Sequence, residues 1–247
     1  LRYIETGLSD SWIDGPRRSR NHKDRPYAVV SAGGRNFIAY DEAARFLQAP
    51  ARRVLVCRDA YNGLVLWKRN LLPTKRSSNS RTGFSPATLC ALGDRVYLVL
   101  EDLGPMVELD AATGKTLRTF KQSAGAVYLL DDRRMILNGG GTVRLFDYRA
   151  ENILWDSRLT ARRLVVSGDC VFVQPHRPGD GTALVCLDLK DGRAKWRAKD
   201  PRLAGAALRT SRDGVVAFSG GKGGLLQVIS ARDGKYLWKH DYSVPGH

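Results

Sequence analysis

Hydrophobic and polar residues alternate along short segments from Tyr27 onward, and the segments come in groups of four. The first group reads YAVVS, NFIAY, VLVCRD and LVLWKR. Alternation with a period of two predicts half-buried β-strands, and the Gly-rich and Asp-rich stretches between the segments predict turns. No stretch has helical periodicity of useful length. The pattern therefore predicts an all-β chain of short antiparallel strands.

The same order of four segments recurs four more times. In sequence order the groups are ATLCAL, RVYLVL, MVELD, KTLRTF; AVYLL, RMILN, TVRLFD, NILWD; RLVVS, CVFVQ, TALVCLD, AKWRA; and ALRTS, VVAFS, LLQVIS, KYLWK. Turn residues separate the first two segments each time: AGGR, LGDR, DDRR, SGDC and SRDG. Four short strands in every roughly 40 residues are typical of one blade of a β-propeller.

A short motif spans the last two strands of each group. It is clearest at 57–67 (CRDAYNGLVLW) and returns at 108–118, 145–155, 186–196 and 228–238. Its landmarks are an Asp, a Gly four positions later and a Trp four positions after that: Asp59, Gly63, Trp67, Asp110, Gly114, Asp147, Trp155, Asp188, Gly192, Trp196, Gly234 and Trp238. Three landmarks are replaced, by Ser230, Arg118 and Glu151.

Each landmark has a structural explanation. An Asp that ends the third strand can accept backbone N–H bonds two residues on, and the Gly supplies a positive φ that closes the turn. The Trp has a large apolar body with one N–H to satisfy, which suits the seam between neighbouring blades. We therefore interpret the motif as part of the scaffold rather than as a binding site.

The motif resembles the A-x-D-x-x-T-G-K-x-x-W signature of the PQQ-like, quinoprotein-type propeller repeat over about residues 27–240. The copy at 108–118 keeps Asp110, Thr113, Gly114 and Lys115, and Cys57 and Cys186 fill the small Ala position. The resemblance implies an all-β β-propeller of four-stranded antiparallel blades, with five blades present. Because propellers of this family usually close with seven or eight blades, we expect an arc of a larger ring; a closed five-bladed ring is the alternative.

This interpretation divides the chain into a basic N-terminal segment at 1–26, a single propeller domain at 27–240 and a C-terminal tail at 241–247. The blades are expected at about 27–69, 87–121, 125–156, 162–198 and 206–240. The chain begins at Leu1 and ends soon after the fifth repeat. We expect it to be part of a longer protein.

The family takes its name from quinoprotein dehydrogenases, which hold their quinone under a disulfide between adjacent cysteines and on a calcium ion bound by Glu, Asn and Asp. The four cysteines here, at 57, 90, 170 and 186, are not adjacent, and we assign no matching calcium ligands. The four histidines lack ligand spacing. We therefore predict no catalytic residues, no cofactor and no metal. The alternative is that the chain is part of a quinoprotein-type dehydrogenase or a propeller appendage of a larger enzyme.

The net charge of +15, from 40 Lys and Arg against 25 Asp and Glu, would attract anionic partners. The long connections at 15–26, 41–53, 70–86, 175–181 and 198–205 are expected on one face, where long loops on a rigid scaffold commonly bind partners. The candidate anion-binding and partner-binding residues are Arg17, Arg18, Arg20, Lys23, Arg25, Arg52, Arg53, Lys75, Arg76, Arg81 and Arg177. Basic residues on the other face leave a merely solvated basic surface as the alternative.

The nearest functional analogy within the family is the propeller lipoprotein of the bacterial outer-membrane barrel-assembly machinery, which presents loops to protein partners. Similar repeats occur in planctomycete envelope proteins. The resemblance implies a non-catalytic scaffold or protein-interaction module, periplasmic or associated with the cell envelope, with an acidic protein partner. Nucleic acid and an anionic surface stay open as partners, but no motif supports them. No apolar run approaches the roughly 20 residues that span a bilayer.

Cys170 and Cys186 carry one specific expectation. If the second and third strands of the fourth group pair about a turn centred near Pro178, these two residues lie directly opposite each other. A cross-strand contact would be oxidised only in a permissive compartment, and free buried thiols are the alternative.

Overall fold

The computed structural model of the chain describes residues 28–41, 53–71, 88–100, 104–176, 180–219 and 224–242. Within these ranges the backbone forms five four-stranded antiparallel sheets. The prediction of an all-β fold with five blades is confirmed. Because every sheet is a meander of four short strands, each has the architecture of a propeller blade. The arc of a larger ring stays a prediction.

The strands of the first two blades carry the first two copies of the motif. The first blade contains β1 (Ala28–Ala32), β2 (Arg35–Asp41), β3 (Arg53–Asp59) and β4 (Val65–Asn70). The second contains β5 (Leu89–Leu92), β6 (Arg95–Val99), β7 (Pro105–Asp110) and β8 (Thr116–Ser123).

The other three blades follow in the same order. The third contains β9 (Ala126–Leu129), β10 (Arg134–Gly139), β11 (Thr142–Asp147) and β12 (Asn152–Asp156). The fourth contains β13 (Ala161–Ser167), β14 (Cys170–Pro175), β15 (Leu184–Asp188) and β16 (Ala194–Ala198). The fifth contains β17 (Ala207–Thr210), β18 (Gly214–Ser219), β19 (Gly224–Ser230) and β20 (Tyr236–Tyr242), and a short 3₁₀ helix, Pro201–Leu203, precedes it.

Strands that follow one another in sequence are neighbours in every sheet. In such a meander the first-to-second and third-to-fourth turns lie at one end of the sheet, which we call the turn end of the blade. The second-to-third link and the chain that leaves the fourth strand lie at the opposite end, which we call the loop end. Strands β2 and β4 therefore both end at the loop end of the first blade.

Burial falls from the middle strands to the outermost strand of a blade. Five of the six residues of β14 are buried, and four of the five residues of β15 are buried. Strands enclosed on both faces read as continuous apolar runs, which is the pattern of VFV and LVCL here. The outermost strand β16 is exposed or half-buried along its length. Its Trp is therefore free to reach a neighbouring blade.

The described chain contains two compact units. One comprises β1–β10 with the turn 147–151, and the other comprises β11, β12 and β13–β20. The core of the first unit includes Phe37, Leu55, Val96, Leu98 and Leu109. The core of the second unit includes Phe172, Leu184, Leu208, Val215 and Ile229.

Candidate functional site

The turn between the third and fourth strands of each blade is held by the side chain that ends the third strand. Oδ1 of Asp59 accepts hydrogen bonds from the backbone N–H groups of Tyr61 at 2.9 Å and Asn62 at 3.1 Å. The same position accepts at least one such bond in the other blades, at Asp110, Asp147, Asp188 and Ser230. These side chains satisfy backbone donors that leave the strand ladder, so they shape the turn.

The Trp of one blade packs on the Gly of the next. Trp155 Nε1 donates to the carbonyl oxygen of Leu189 at 2.8 Å, and a Cβ added to Gly192 would lie 2.6 Å from the indole ring. Trp67 on Gly114 and Trp196 on Gly234 repeat this arrangement, with Nε1 donating at 2.9 Å to the carbonyls of Ala111 and Ala231. The three Gly residues have φ of +70°, +73° and +72°. Only Gly suits both the left-handed backbone and the close ring.

Arg118 contacts the turn of the third blade through charges instead of an indole. Its Nη2 lies 2.7 Å from Glu108 Oε2, and its Nη1 lies 3.3 Å from Glu151 Oε1. Glu151 stands in the Gly position of the motif and keeps the left-handed backbone, with φ of +54°. Glu108 is paired across the strands with Arg118, at a position where Cys57 is paired with Trp67. Three residues thus replace the Trp–Gly seam together.

This coupling was not predicted from the sequence, in which Arg118 and Glu151 were interpreted as separate losses of a landmark. The sequence of the motif does contain a signal for this coupling. The two losses fall in consecutive copies, so that the residue replacing Trp meets the residue replacing Gly, and the two have opposite charge. Glu108 completes the set because the motif places it two residues before Asp110, opposite the outer strand.

Several acidic residues at the turn ends form ion pairs with neighbouring cations. Lys195 Nζ lies 2.6 Å from Asp169 Oδ2 and 3.2 Å from Asp188 Oδ2. The hydrogen bond from Lys195 holds the pKa of Asp169 below its usual range, and the two carboxylates raise the pKa of Lys195. Further pairs join Arg95 to Asp94 and Glu108, Arg133 to Asp147, and Arg134 to Asp131. Part of the described turn-end charge is therefore internally compensated.

Of the predicted partner-binding residues, only Arg53 lies within the described residues. Arg53 is half-buried and begins β3 at the loop end of the first blade. The others lie outside the described residues: Arg17, Arg18, Arg20, Lys23, Arg25, Arg52, Lys75, Arg76, Arg81 and Arg177.

Arg202, on the connection between the fourth and fifth blades, is neutralised locally. Its Nη2 lies 2.9 Å from Asp200 Oδ2, which also accepts a 2.5 Å hydrogen bond from the Tyr236 hydroxyl. The Arg202 guanidinium holds the pKa of Asp200 well below its usual range. Burial and the Asp200 carboxylate together raise the pKa of Tyr236 to about 12. This cluster ties the connection to β20 and adds little free positive charge to the loop end.

The prediction that Cys170 and Cys186 lie directly opposite each other is wrong. The strands pair Cys170 with Asp188 and Phe172 with Cys186, because the register is centred at position 179 rather than 178. Both thiols are free and buried, and both Sγ atoms donate to the carbonyl oxygen of Ala231, at 3.7 Å and 3.9 Å. The two thiols are diagonal neighbours joined by a hydrogen bond, so the expected cross-strand contact is present although the residues are not directly opposite, and both thiols are free and buried.

All four cysteines are expected to react with a thiol reagent when the chain is denatured without reductant. In the native chain at about pH 8, Cys57, Cys170 and Cys186 should stay unmodified, since the thiolate is the reactive form and burial disfavours it. Burial raises the pKa of Cys57 to about 11 and raises the pKa of Cys170 and of Cys186. Mass spectrometry of alkylated peptides measures each site. Two reactive thiols in the denatured chain, at Cys57 and Cys90, would instead indicate a Cys170–Cys186 disulfide.

Two searches of the described residues gave negative findings. No group of three or more His, Cys, Asp or Glu side chains within the described ranges could hold a metal ion. In the same part of the chain, no helix is long and apolar enough to cross a membrane.

Comparisons with known proteins were made for both sequence and structure. A family model described as outer membrane protein assembly factor BamB matches residues 139–246. No curated protein matched the sequence significantly. The fold is similar to that of BamB from Moraxella catarrhalis, with a TM-score of 0.53 and 18% identity over 84% of this chain and 58% of that chain.

Two further structures have the same fold. The computationally designed Ika8 protein gives a TM-score of 0.59 and 16% identity over 90% of this chain and 63% of that one. Quinohemoprotein alcohol dehydrogenase from Comamonas testosteroni gives a TM-score of 0.53 and 14% identity over 89% of this chain and 44% of that one. The chain spans less than two thirds of the length of each of these three structures. The repeated motif and the five four-stranded sheets give this chain the fold of a PQQ-like β-propeller, and the family match covers residues 139–246, which is less than half of the chain.

Proposed function

We propose that this chain is a non-enzymatic scaffold of the bacterial cell envelope, which binds an acidic protein partner through basic loops at the loop ends of its blades. The match of residues 139–246 to an outer membrane protein assembly factor supports a role in protein interaction and a place in the envelope. Fold similarity alone does not supply a partner, so the partner's chemistry is inferred from charge.

The observation that carries the proposal is the concentration of basic residues, with few acids, in two connecting segments of the sequence. At the turn ends, Arg95, Arg133, Arg134 and Lys195 are each within ion-pair distance of a carboxylate. The sequence of 15–26 has five Lys and Arg with Asp24 as its single acid, and 70–86 has three with no acid. The strand order of the first blade puts the start of β1 and the end of β4 at its loop end, which supports a position of both segments near that end. Basic segments with few acids favour an acidic partner.

Charge reversal in these two segments tests the proposal. The variant changes Arg17, Arg20, Arg25, Lys75, Arg76 and Arg81 to Glu, and its control changes six turn-end cations, Lys115, Lys190, Arg193, Arg212, Arg232 and Lys235, to Glu. Both lower the net charge equally. Binding of a fluorescent oligoglutamate peptide, followed by anisotropy at low and physiological salt, should weaken about tenfold or more in the loop variant. The control should weaken less.

If the two variants bound the peptide equally weakly, the peptide would be attracted by net charge alone, and the loop-end site would be overturned. Tighter binding of single-stranded DNA or of anionic vesicles than of the peptide, lost in the same loop variant, would overturn the protein partner. The enzymatic alternative has a direct test, since addition of pyrroloquinoline quinone and calcium should give no dye reduction with alcohol or aldose substrates. Clear turnover would replace the scaffold with a quinoprotein-type function.

A further inference from the structure

Two positions of the fourth blade depart together from the residues that the other blades carry there. The second strand begins with an Arg in the first three blades and a Gly in the fifth, but with Cys170 in the fourth. The residue before the Trp position is a Leu in the other four blades, but Lys195 in the fourth. Both departures meet at the turn end, where Lys195 Nζ donates to Cys170 Sγ at 3.7 Å. The fourth blade therefore places a thiol and an ammonium group together.

Cys186, on β15, brings a second thiol to the same place. Cys170 and Cys186 are diagonal neighbours across β14 and β15, and their thiols are joined by a hydrogen bond. Both Sγ atoms also donate to the carbonyl oxygen of Ala231 in the next blade. In the first blade, Cys57 stands in the position of Cys186, but its diagonal neighbour is Arg35. Cys57 is therefore a matched thiol without a second thiol beside it.

Two neighbouring thiols without further ligands favour a soft metal ion of low coordination number. Within the described ranges, no group of three or more His, Cys, Asp or Glu side chains could hold a metal ion, so the four ligands of a zinc site are not assembled there. Thiolates favour Cu(I), and this singly charged ion is satisfied by two of them. A linear unit with two metal–sulfur bonds of about 2.3 Å each separates the sulfur atoms by about 4.6 Å. Thiols in hydrogen-bond contact reach that separation by a small movement of the side chains.

Both thiols are buried, but they lie directly beneath the turn end of the blade. Asp169 precedes Cys170, its side chain is 78% exposed, and its Oδ1 accepts from Cys170 Sγ at 3.5 Å. The Lys195 side chain, which is 24% exposed, lies against the same sulfur atom. An ion that approaches from this end meets an exposed carboxylate first, and displacement of Lys195 opens the way to the thiols. Because a metal ion is far smaller than an alkylating reagent, a small opening is sufficient.

We propose that Cys170 and Cys186 form a two-coordinate Cu(I) site at the turn end of the fourth blade. The ion binds both Sγ atoms, and each thiol releases its proton to solvent. Copper stays in the same oxidation state, so the step needs no oxidant or reductant. The complex carries one net negative charge, which the ammonium group of Lys195 beside Cys170 Sγ offsets. This site lies at the opposite end of the blade from the basic loops and does not depend on the proposed partner binding.

Anaerobic titration of the whole chain with Cu(I), kept reduced by ascorbate and buffered by the coloured chelator bicinchoninate, tests the proposal. The unsubstituted chain should withdraw one Cu(I) per chain from the chelator. Cys170→Ser and Cys186→Ser should each weaken this binding about hundredfold or more, because a single thiolate remains. The double variant Cys57→Ser, Cys90→Ser is the control and should bind one Cu(I) with unchanged affinity.

Equal binding by the chain without Cys170 and Cys186 and by the chain without Cys57 and Cys90 would overturn the proposal, since any thiol would then serve. Native mass spectrometry that found Cu(I) only in dimers would also overturn it, because the ion would be joining two chains. Circular dichroism checks that the variants are folded. X-ray absorption at the copper edge decides without substitutions of the site. The Cu(I)-loaded control variant should show two sulfur ligands, and a site built from nitrogen or oxygen ligands would contradict the proposal.

Discussion

Replacing Gly192 by alanine should lower the free energy of unfolding by about 2–5 kcal/mol. A Cβ at this position would lie 2.6 Å from the ring of Trp155, so either the indole or the turn must move. A side chain with φ of +73° also incurs the steric cost of the left-handed backbone, about 1–2 kcal/mol. Moving the indole would break the hydrogen bond from Nε1 to Leu189. Urea denaturation followed by tryptophan fluorescence and circular dichroism measures the loss.

Gly181→Ala is the matched control for Gly192→Ala. Gly181 lies in the same compact unit and has φ of +74°, but no atom of the described residues would lie within 4 Å of a Cβ there. Its substitution should therefore show only the backbone cost of about 1–2 kcal/mol. The difference between the two variants isolates the contact with Trp155. Equal destabilisation would mean that the indole can retreat freely, and that Gly192 is needed for its backbone conformation alone.

The sequence predicted the blades because they repeat. A strand that is ambiguous in one copy of the repeat is identified by comparison with the other four copies. Each blade also has the same two needs, which are to close a turn at the Asp position and to form a seam with the next blade. The roles of Asp59 and Trp67 follow from local chemistry that is printed in the motif: a carboxylate near free backbone N–H groups, and an indole on an exposed strand. Such features are readable because the responsible residues are a few positions apart.

What the sequence could not predict depends on register and on contacts between blades. Moving the register centre from 178 to 179 places Cys170 opposite Asp188 instead of Cys186, and no residue in the loop sequence determines that choice. The ionic seam at Arg118 joins residues from two copies of the motif, so each copy read alone shows only a defect. The residues of the loop-end site stay predictions, because the loop sequences do not repeat and so cannot be compared from one blade to the next.

The mutual dependence of Glu108, Arg118 and Glu151 has a consequence for design. Glu108 is 9% exposed and lies between two guanidinium groups, 3.2 Å from Arg95 and 2.7 Å from Arg118. A carboxylate at this depth is tolerated because hydrogen-bonded cations compensate for lost hydration. Removing one member of the set should therefore cost more than exchanging all of them for the apolar seam used by the other blades.

Arg118→Ala should lower the free energy of unfolding by about 2–3 kcal/mol, below the full cost of breaking a buried ion pair because Arg118 is partly exposed. Arg118→Trp alone should be at least as damaging, since it leaves Glu108 without this partner and places a ring against Glu151. The triple change Glu108→Cys, Arg118→Trp, Glu151→Gly rebuilds the combination found at Cys57, Trp67 and Gly114, and should recover to within about 1 kcal/mol of the unsubstituted chain. Leu117→Ala is the control. Because Leu117 is a neighbouring residue that is 51% exposed, this change should alter the free energy of unfolding by about 0.5 kcal/mol or less. Denaturant midpoints for these four variants, and for Glu108→Cys and Glu151→Gly alone, measure these differences. If the triple variant were as unstable as the sum of its single changes, the three residues would be independent and the ionic seam would not be a replacement for the Trp–Gly contact.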